Sequence, residues 1–365
     1  MKQRFLYLLS IISILTLFIA GCSSSSNQSS GSSGSTGDQN DNSEEEVEKI
    51  KLKFASYFAG TSPIYTAVTE PFMKRVTELT DGKVEFEYYP SEQLGKAGDL
   101  LQLTSDGVAD LAIFPTNYTP DLMPITNMLS GLPGLSTNAD QGTKAYNQLI
   151  KQNTQIIELE YKKNGIKPLL MHVSPNYEIW TKDLELRVPA DLEGKKIRTP
   201  GGVANELYEY MGAIPVAIPF PEIYEGLDKG VIEAIALYGL GLKNGGIDEI
   251  TNYVVMPHIA TAIQGIMINQ KVWDGLPEDV QKAMIQASDE IIETAGAVYA
   301  EETIKFDEDF VANGGTIAEL TQEEMAQWNK VSEEFVEKWL TDHADEGYPY
   351  QEILAEYKEL LKEFE

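Results

Sequence analysis

The chain has 365 residues, with 57 Asp and Glu against 28 Lys and Arg and a formal net charge of −29. A surface this acidic repels phosphate backbones and excludes nucleic acid as a partner. The single cysteine, Cys22, excludes an internal disulfide. The three histidines, His172, His258 and His343, stand at no metal-ligand spacing, so neither a metal nor a cofactor is expected.

Lys2 and Arg4 precede an apolar run from Phe5 to Ala20, which ends in Ala20-Gly21-Cys22. Small residues before a cysteine at the end of such a run mark a secretory leader. Residues 1–22 are therefore read as a lipoprotein signal peptide, with Cys22 as the lipidated residue after cleavage; the competing reading is a plain membrane anchor ending at a chance cysteine. Residues 23–49 are rich in Ser and Gly and nearly free of large apolar side chains. They cannot offset the entropy of ordering and are expected to act as a tether with a reach of about 25–30 Å. The expected location is extracytoplasmic, with the protein held at the cell membrane by its lipid.

From about Ile50 onward the pattern is that of a folded body. "IKLKFAS" alternates as a strand. A helix follows, with Ile64, Ala67, Val68, Phe72, Val76 and Leu79 at helical spacing, a kink or shift at Pro71 and a stop at Gly82. "KVEFEYYP" is a strand, "AGDLLQLTSDGVAD" a short helix and "ADLAIFP" a strand, so βαβ units in a mixed or parallel sheet are expected. "DLMPITNMLSGLPGL" reads as an apolar loop. A helix near 141–159 leads to the strand "GIKPLLMHV".

The pattern then restarts on a smaller scale. "YEIWTK" and "KKIRT" are strands, 203–211 a helix, "IPVAI" a strand, "PEIYEGLDKG" a helix and "IEAIALY" a strand. "AIQGIMIN" reads as a return to the first sheet, and three long helices finish the chain. Lobe I is expected over 50–174 plus about 262–300. Lobe II is expected over 175–261 plus about 301–365, including the C-terminal helices. The expected fold is α/β: a two-lobed clamshell of the periplasmic-binding-protein kind with a long interlobe helix. Such a body closes around a ligand, with strand C-terminal ends from both lobes facing the cleft.

Catalytic signals are missing from the sequence. There is no G-x-S-x-G elbow. "GLGLKNGG" lacks the Lys-Ser/Thr of a phosphate loop and reads as an ordinary loop. A secreted hydrolase would need a base for its nucleophile, and three histidines supply little choice. The chain is therefore not expected to be an enzyme. Arg198 is the chemical candidate: it ends the strand "KKIRT" just before Pro200-Gly201-Gly202. A guanidinium at a strand end in a cleft offers a planar fork to a carboxylate, although its position alone fits a surface salt bridge equally well.

"LEGKKIRTPGG", "YEYMGAIPVAIPFPEIYEGLDKGVIEA" and "YYPSEQLGKAGDLLQLTSDGVADLAIF" together resemble the DctP-type solute receptors of tripartite ATP-independent periplasmic (TRAP) transporters. The resemblance runs from about Lys51 to beyond Phe310 and is most specific over 191–233. It implies that Arg198 clamps a ligand carboxylate and that Phe220 packs on the ligand. It also implies a Na⁺-coupled membrane permease as partner. The position of a second arginine in the sialic-acid branch of the family is held by Glu178, and other polar positions become Phe58, Pro115, Tyr118 and Leu237, the last followed by Tyr238. These departures argue against sialic acid. They describe a site with one arginine, one acid and walls of Phe58, Tyr118, Trp180, Phe220, Leu237 and Tyr238. Glu178 reads an amine or hydroxyl on the solute, or buttresses Arg198, or faces water. Trp180 and Tyr238 are ligand walls or interlobe packing. The expected function is capture of a small organic acid with an apolar or aromatic part and delivery to a TRAP-type permease. The alternatives are an amine- or hydroxyl-bearing solute read by Glu178, a sensor that passes its ligand to a signalling partner, and a secreted hydrolase.

Overall fold

The computed structural model describes residues 49–365; the leader, Cys22 and the tether up to residue 48 lie outside the described residues. In chain order, the first part runs β1 (Ile50–Ser56), α1 (Glu70–Leu79), β2 (Val84–Tyr89), α2 (Leu100–Ser105), β3 (Leu111–Pro115), α3 (Pro124–Gly131), α4 (Ala139–Gln152), the single turn α5 (Thr154–Ile156) and β4 (Ile166–Val173). The second runs β5 (Tyr177–Thr181), β6 (Lys196–Thr199), α6 (Val203–Tyr210), β7 (Ile214–Ala217), α7 (Ile223–Asp228), β8 (Ala234–Leu237), α8 (Gly239–Gly245) and β9 (Tyr253–Ile259). Then come β10 (Ile263–Asn269), α9 (Gln270–Gly275), α10 (Glu278–Ala312), β11 (Thr316–Ile317), α11 (Gln322–Asp342) and α12 (Tyr350–Glu363).

Two sheets result, ordered β2-β1-β3-β10-β4 and β11-β9-β5-β8-β6-β7. β1 pairs in parallel with β2 and β3, while β10 lies antiparallel between β3 and β4. In the second sheet β6 is parallel to β7 and β8, and β5 is antiparallel to β8 and β9. The chain crosses from the first sheet to the second over 174–176 and returns over 260–262. The crossings bond to each other: Ser174 N donates to Ala262 O at 2.9 Å and Tyr177 N to Ala260 O at 3.0 Å. The long helix α10 packs against α1, α4 and β4 of the first part and against α8 of the second. This is the two-sheet α/β architecture with a helix spanning both parts.

Several elements depart from the sequence reading. "PITNMLSG" is not a loop but α3, with Pro124 in its first turn, where a missing N–H costs nothing. Its start is capped from a distance. The buried Glu160 carboxylate accepts from Ile125 N, from Thr126 N at 3.1 Å and from the Thr126 hydroxyl at 2.5 Å. "GLGLKNG" is also a helix, α8. Its glycines serve close packing: a Cβ on Gly239 would lie 2.6 Å from the Phe306 ring, and one on Gly241 2.9 Å from Leu237. The helix expected over 141–159 breaks at Asn153, whose side chain accepts from Gln155 N at 3.0 Å and caps a new turn. β9 escaped the sequence reading. Finally, α12 does not join the second part as expected. Its buried face of Ile353, Leu354, Tyr357, Leu360 and Leu361 lies on α3 and α4, and Gln141 Nε2 donates to Leu361 O at 2.9 Å.

Candidate functional site

β6 lies inside the second sheet, paired on both sides, so its residues are withdrawn from water apart from Lys196 at its start. Arg198, near its C-terminal end, is 1% exposed. Its Nε donates to Ile218 O at 2.9 Å, Nη1 to Ala236 O at 3.1 Å and Nη2 to the Tyr118 hydroxyl at 3.0 Å. A guanidinium has five N–H groups, so two lie outside these three bonds, with the Tyr177 hydroxyl beside them. No carboxylate lies within ion-pair distance of Arg198 among the described residues, and none lines the cavity around it. An unpaired buried charge costs several kcal/mol, so an anion placed beside Arg198 would relieve that cost.

The residues around Arg198 come from both parts of the fold. Tyr57, Phe58, Pro115, Asn117, Tyr118 and Gln264 approach from the first; Tyr177, Phe220, Leu237 and Tyr238 come from the second. The inner space is about 20 Å³, the room of about one water. It borders an outer vestibule of about 490 Å³, with Tyr57, Phe58 and Phe220 shared between the two. The Tyr118 hydroxyl also accepts from Phe220 N at 2.9 Å, so one phenol ties the two parts together across the cavity. Burial pushes the Tyr177 hydroxyl up to about 12, against the pull of Arg198 beside it, and keeps it neutral. Burial raises Tyr57 and Tyr238 as well. The site is one fixed positive charge inside neutral phenols and apolar rings.

The expected walls Phe58, Tyr118, Phe220, Leu237 and Tyr238 meet around Arg198. Glu178 and Trp180 do not. Alternation along β5 turns Tyr177 to the cavity and sends Glu178 and Trp180 to the other face. There Trp180 packs edge-on against Phe306 and Phe310, and its indole N–H donates to Leu237 O at 2.8 Å. Glu178 accepts from His258 N at 3.1 Å and pairs with His258 Nδ1 at 2.7 Å. It therefore neither buttresses Arg198 nor faces its ligand space. Glu178 and His258 line a separate cavity of about 230 Å³ beside the crossings, together with Asp307.

The sequence reading missed Tyr57, Asn117, Tyr177 and Gln264. Tyr177 was one residue away from the chosen Glu178, and only the sheet register separates them. His172, one of the three histidines, is buried with no partner on either ring nitrogen, and burial pushes its pKa down to about 3.

A family described as bacterial extracellular solute-binding protein, family 7 (DctP), matches residues 54–342. The chain belongs to this family. As a family-7 receptor it is similar to the ectoine-binding periplasmic protein TeaA of Halomonas elongata, at 25% identity over 80% of this chain and 85% of the relative. It is similar, too, to the C4-dicarboxylate-binding periplasmic protein DctP of Rhodobacter capsulatus, at 25% identity over 78% of this chain and 84% of the relative. Among solved structures, a TRAP solute-binding protein from Rhodoferax ferrireducens in complex with copurified benzoate superposes with a TM-score of 0.79, at 24% identity, covering 87% of this chain and 98% of that one. One from Bordetella bronchiseptica with bound mandelate gives 0.77 at 19% identity, covering 87% of this chain and 100% of that one. These relatives are solute-binding proteins, and the family is an extracellular one. Among the described residues no helix is long and apolar enough to cross a membrane.

Proposed function

We propose that this receptor captures a small monocarboxylic acid with an apolar or aromatic body and presents it to a TRAP-type membrane permease. The observation that carries the reading is Arg198: buried, without an acidic partner, and with two N–H groups outside its three bonds. A guanidinium is the side chain whose planar fork of donors suits a carboxylate. Phe58, Phe220, Leu237 and the phenol rings reward apolar solute surface at about 25 cal/mol per Å². Closure of the two parts about the crossings at 174–176 and 260–262 encloses the solute, and the lipidated Cys22 and its tether hold the body beside the permease. The solute-binding relatives support a receptor rather than an enzyme. The amine reading through Glu178 has no support, since that carboxylate is engaged by His258 in another cavity.

Thermal shift of the body from Val47 onward, against a panel of carboxylates, amines and neutral sugars, tests this reading. A solute at 100 times its Kd stabilises by about 2.7 kcal/mol. Acids should shift the wild type and leave Arg198→Ala unmoved; shifts from neutral solutes alone, indifferent to Arg198, would reject the proposal.

A further inference from the structure

Two buried polar atoms on the wall facing Arg198 have no hydrogen-bond partner. Gln264, in β10, is 1% exposed; its Oε1 accepts from the Tyr57 hydroxyl, and its Nε2 has no close partner, the Tyr238 hydroxyl lying nearest to it. Asn117, just after β3, is 3% exposed, and its Oδ1 has no partner. Both line the small inner cavity with Arg198. A buried amide atom without a partner is costly, and such atoms are rare in folded proteins.

The local structure fixes what each side chain offers. The bond from Tyr57 commits the acceptor end of Gln264; of the two N–H groups at its donor end, the Tyr238 hydroxyl takes at most one and one is left over. Next to Gln264, directly opposite it in the β10–β4 ladder, stands His172, so both side chains emerge on one face of the sheet. Asn117 lies against the Tyr177 hydroxyl beside Arg198 and leaves an acceptor over. The inner site therefore holds, besides the guanidinium, one unused donor and one unused acceptor.

We infer that the Gln264–Asn117 pair is a subsite for a hydroxyl carried on the same solute as the carboxylate, making the preferred solute a hydroxy acid. This inference rests on the carboxylate reading of Arg198. A hydroxyl accepts from Gln264 and donates to Asn117 at once. A carbonyl serves only Gln264, and an ammonium serves only Asn117 while meeting the Gln264 donor. A second carboxylate meets the Asn117 oxygen and brings a second negative charge among neutral, buried phenols. A site built to bond a solute hydroxyl discriminates strongly against the analogue that lacks one.

Titration calorimetry on matched pairs reads this directly: phenylacetate with mandelate, propionate with lactate, and benzoate with each hydroxybenzoate isomer, using wild type, Gln264→Leu and Asn117→Ala, each checked for a cooperative melt. At least one hydroxy acid should bind wild type tenfold or more tightly than its parent, and that ratio should fall toward one in both variants. Equal affinity for parent and hydroxy acid in the wild type, which does not depend on any variant folding, would overturn the subsite while leaving the carboxylate reading intact. If no acid of the panel binds and neutral solutes bind independently of Arg198, the carboxylate reading fails and takes the subsite with it.

Discussion

Arg198 Nη2 and the Tyr118 hydroxyl meet at 3.0 Å across the interlobe cavity, and the same oxygen accepts Phe220 N at 2.9 Å. Tyr118 thus places an oxygen between two donors of the second part, much as a solute oxygen would sit. If the two parts close about the crossings as proposed, the hydroxyl would act as a latch that favours the closed form before solute arrives. Tyr118→Phe removes two hydrogen bonds, one of them to a charged donor, and should shift the closed–open balance of the ligand-free protein by about 1.5–3 kcal/mol toward open. Small-angle scattering should show a larger radius of gyration for the solute-free variant and equal radii once solute is saturating. An unchanged solute-free radius would mean that the lobes are held by other contacts.

Glu178→Gln separates the two cavities. Because Glu178 faces His258 and not Arg198, acid affinities should stay within about twofold of wild type, less than about 0.4 kcal/mol. A tenfold loss measured by calorimetry would return Glu178 to the solute site.

How much of this was legible in the sequence follows from these residues. Arg198 was legible because a short motif places it at a strand end next to a tight turn. Phe220 and the remaining apolar walls followed from the same resemblance. Glu178 was misplaced because a strand turns alternate residues to opposite faces, and the register of β5 is set by pairing with β8 and β9, partners about 60 to 80 residues away along the chain. Gln264 and Asn117 carry no local signal: what marks them is the absence of a partner, which exists only once the chain has folded. The C-terminal helix α12 read correctly as a helix, but its place on α4 is a matter of packing between distant segments.

The glycines of α8 give a packing prediction. In a helix interior Ala is normally favoured over Gly by about 1 kcal/mol, and Gly239, as the first residue of α8, gains at most that. Here a Cβ on Gly239 would lie 2.6 Å from Phe306, which itself packs on Trp180. Overpacking should dominate, so Gly239→Ala should lose about 1–3 kcal/mol in denaturant unfolding. A gain would mean that the aromatic cluster yields easily and that the glycine is dispensable.

Stability should be greatest in mild acid. Burial raises Glu160 from an ordinary 4.5 to about 7 and Asp307 from 3.8 to about 6. Between those values the folded protein keeps protons that the unfolded chain releases, so stability falls as pH rises. For Glu160 the loss is roughly 3 kcal/mol between about pH 4.5 and 7. The bond from Glu178 raises His258 above 6.5, a contribution complete below 6.5 and lost as pH rises through the folded value. In the other direction, Arg187 holds Glu324 down at about 2, so that contribution fades as pH falls from 4.5 toward 2. Burial holds His172 down at about 3, so its contribution is lost as pH falls from 6.5 toward 3 and offsets part of the gain from Glu160 and Asp307. The thermal midpoint should be higher at pH 5 than at pH 8, and the difference should shrink in Glu160→Gln. A midpoint that climbs from pH 5 to 8 would contradict the assignment.

Whether Arg198 is a carboxylate clamp is decided by calorimetry of the best-binding acid against wild type, Arg198→Lys and Arg198→Ala. Wild type should bind tightly, Arg198→Lys should lose at least tenfold, because a point charge replaces the planar fork, and Arg198→Ala should lose 100-fold or more, about 2.7 kcal/mol or greater. Equal affinity in all three proteins, each shown to be folded, would contradict the clamp.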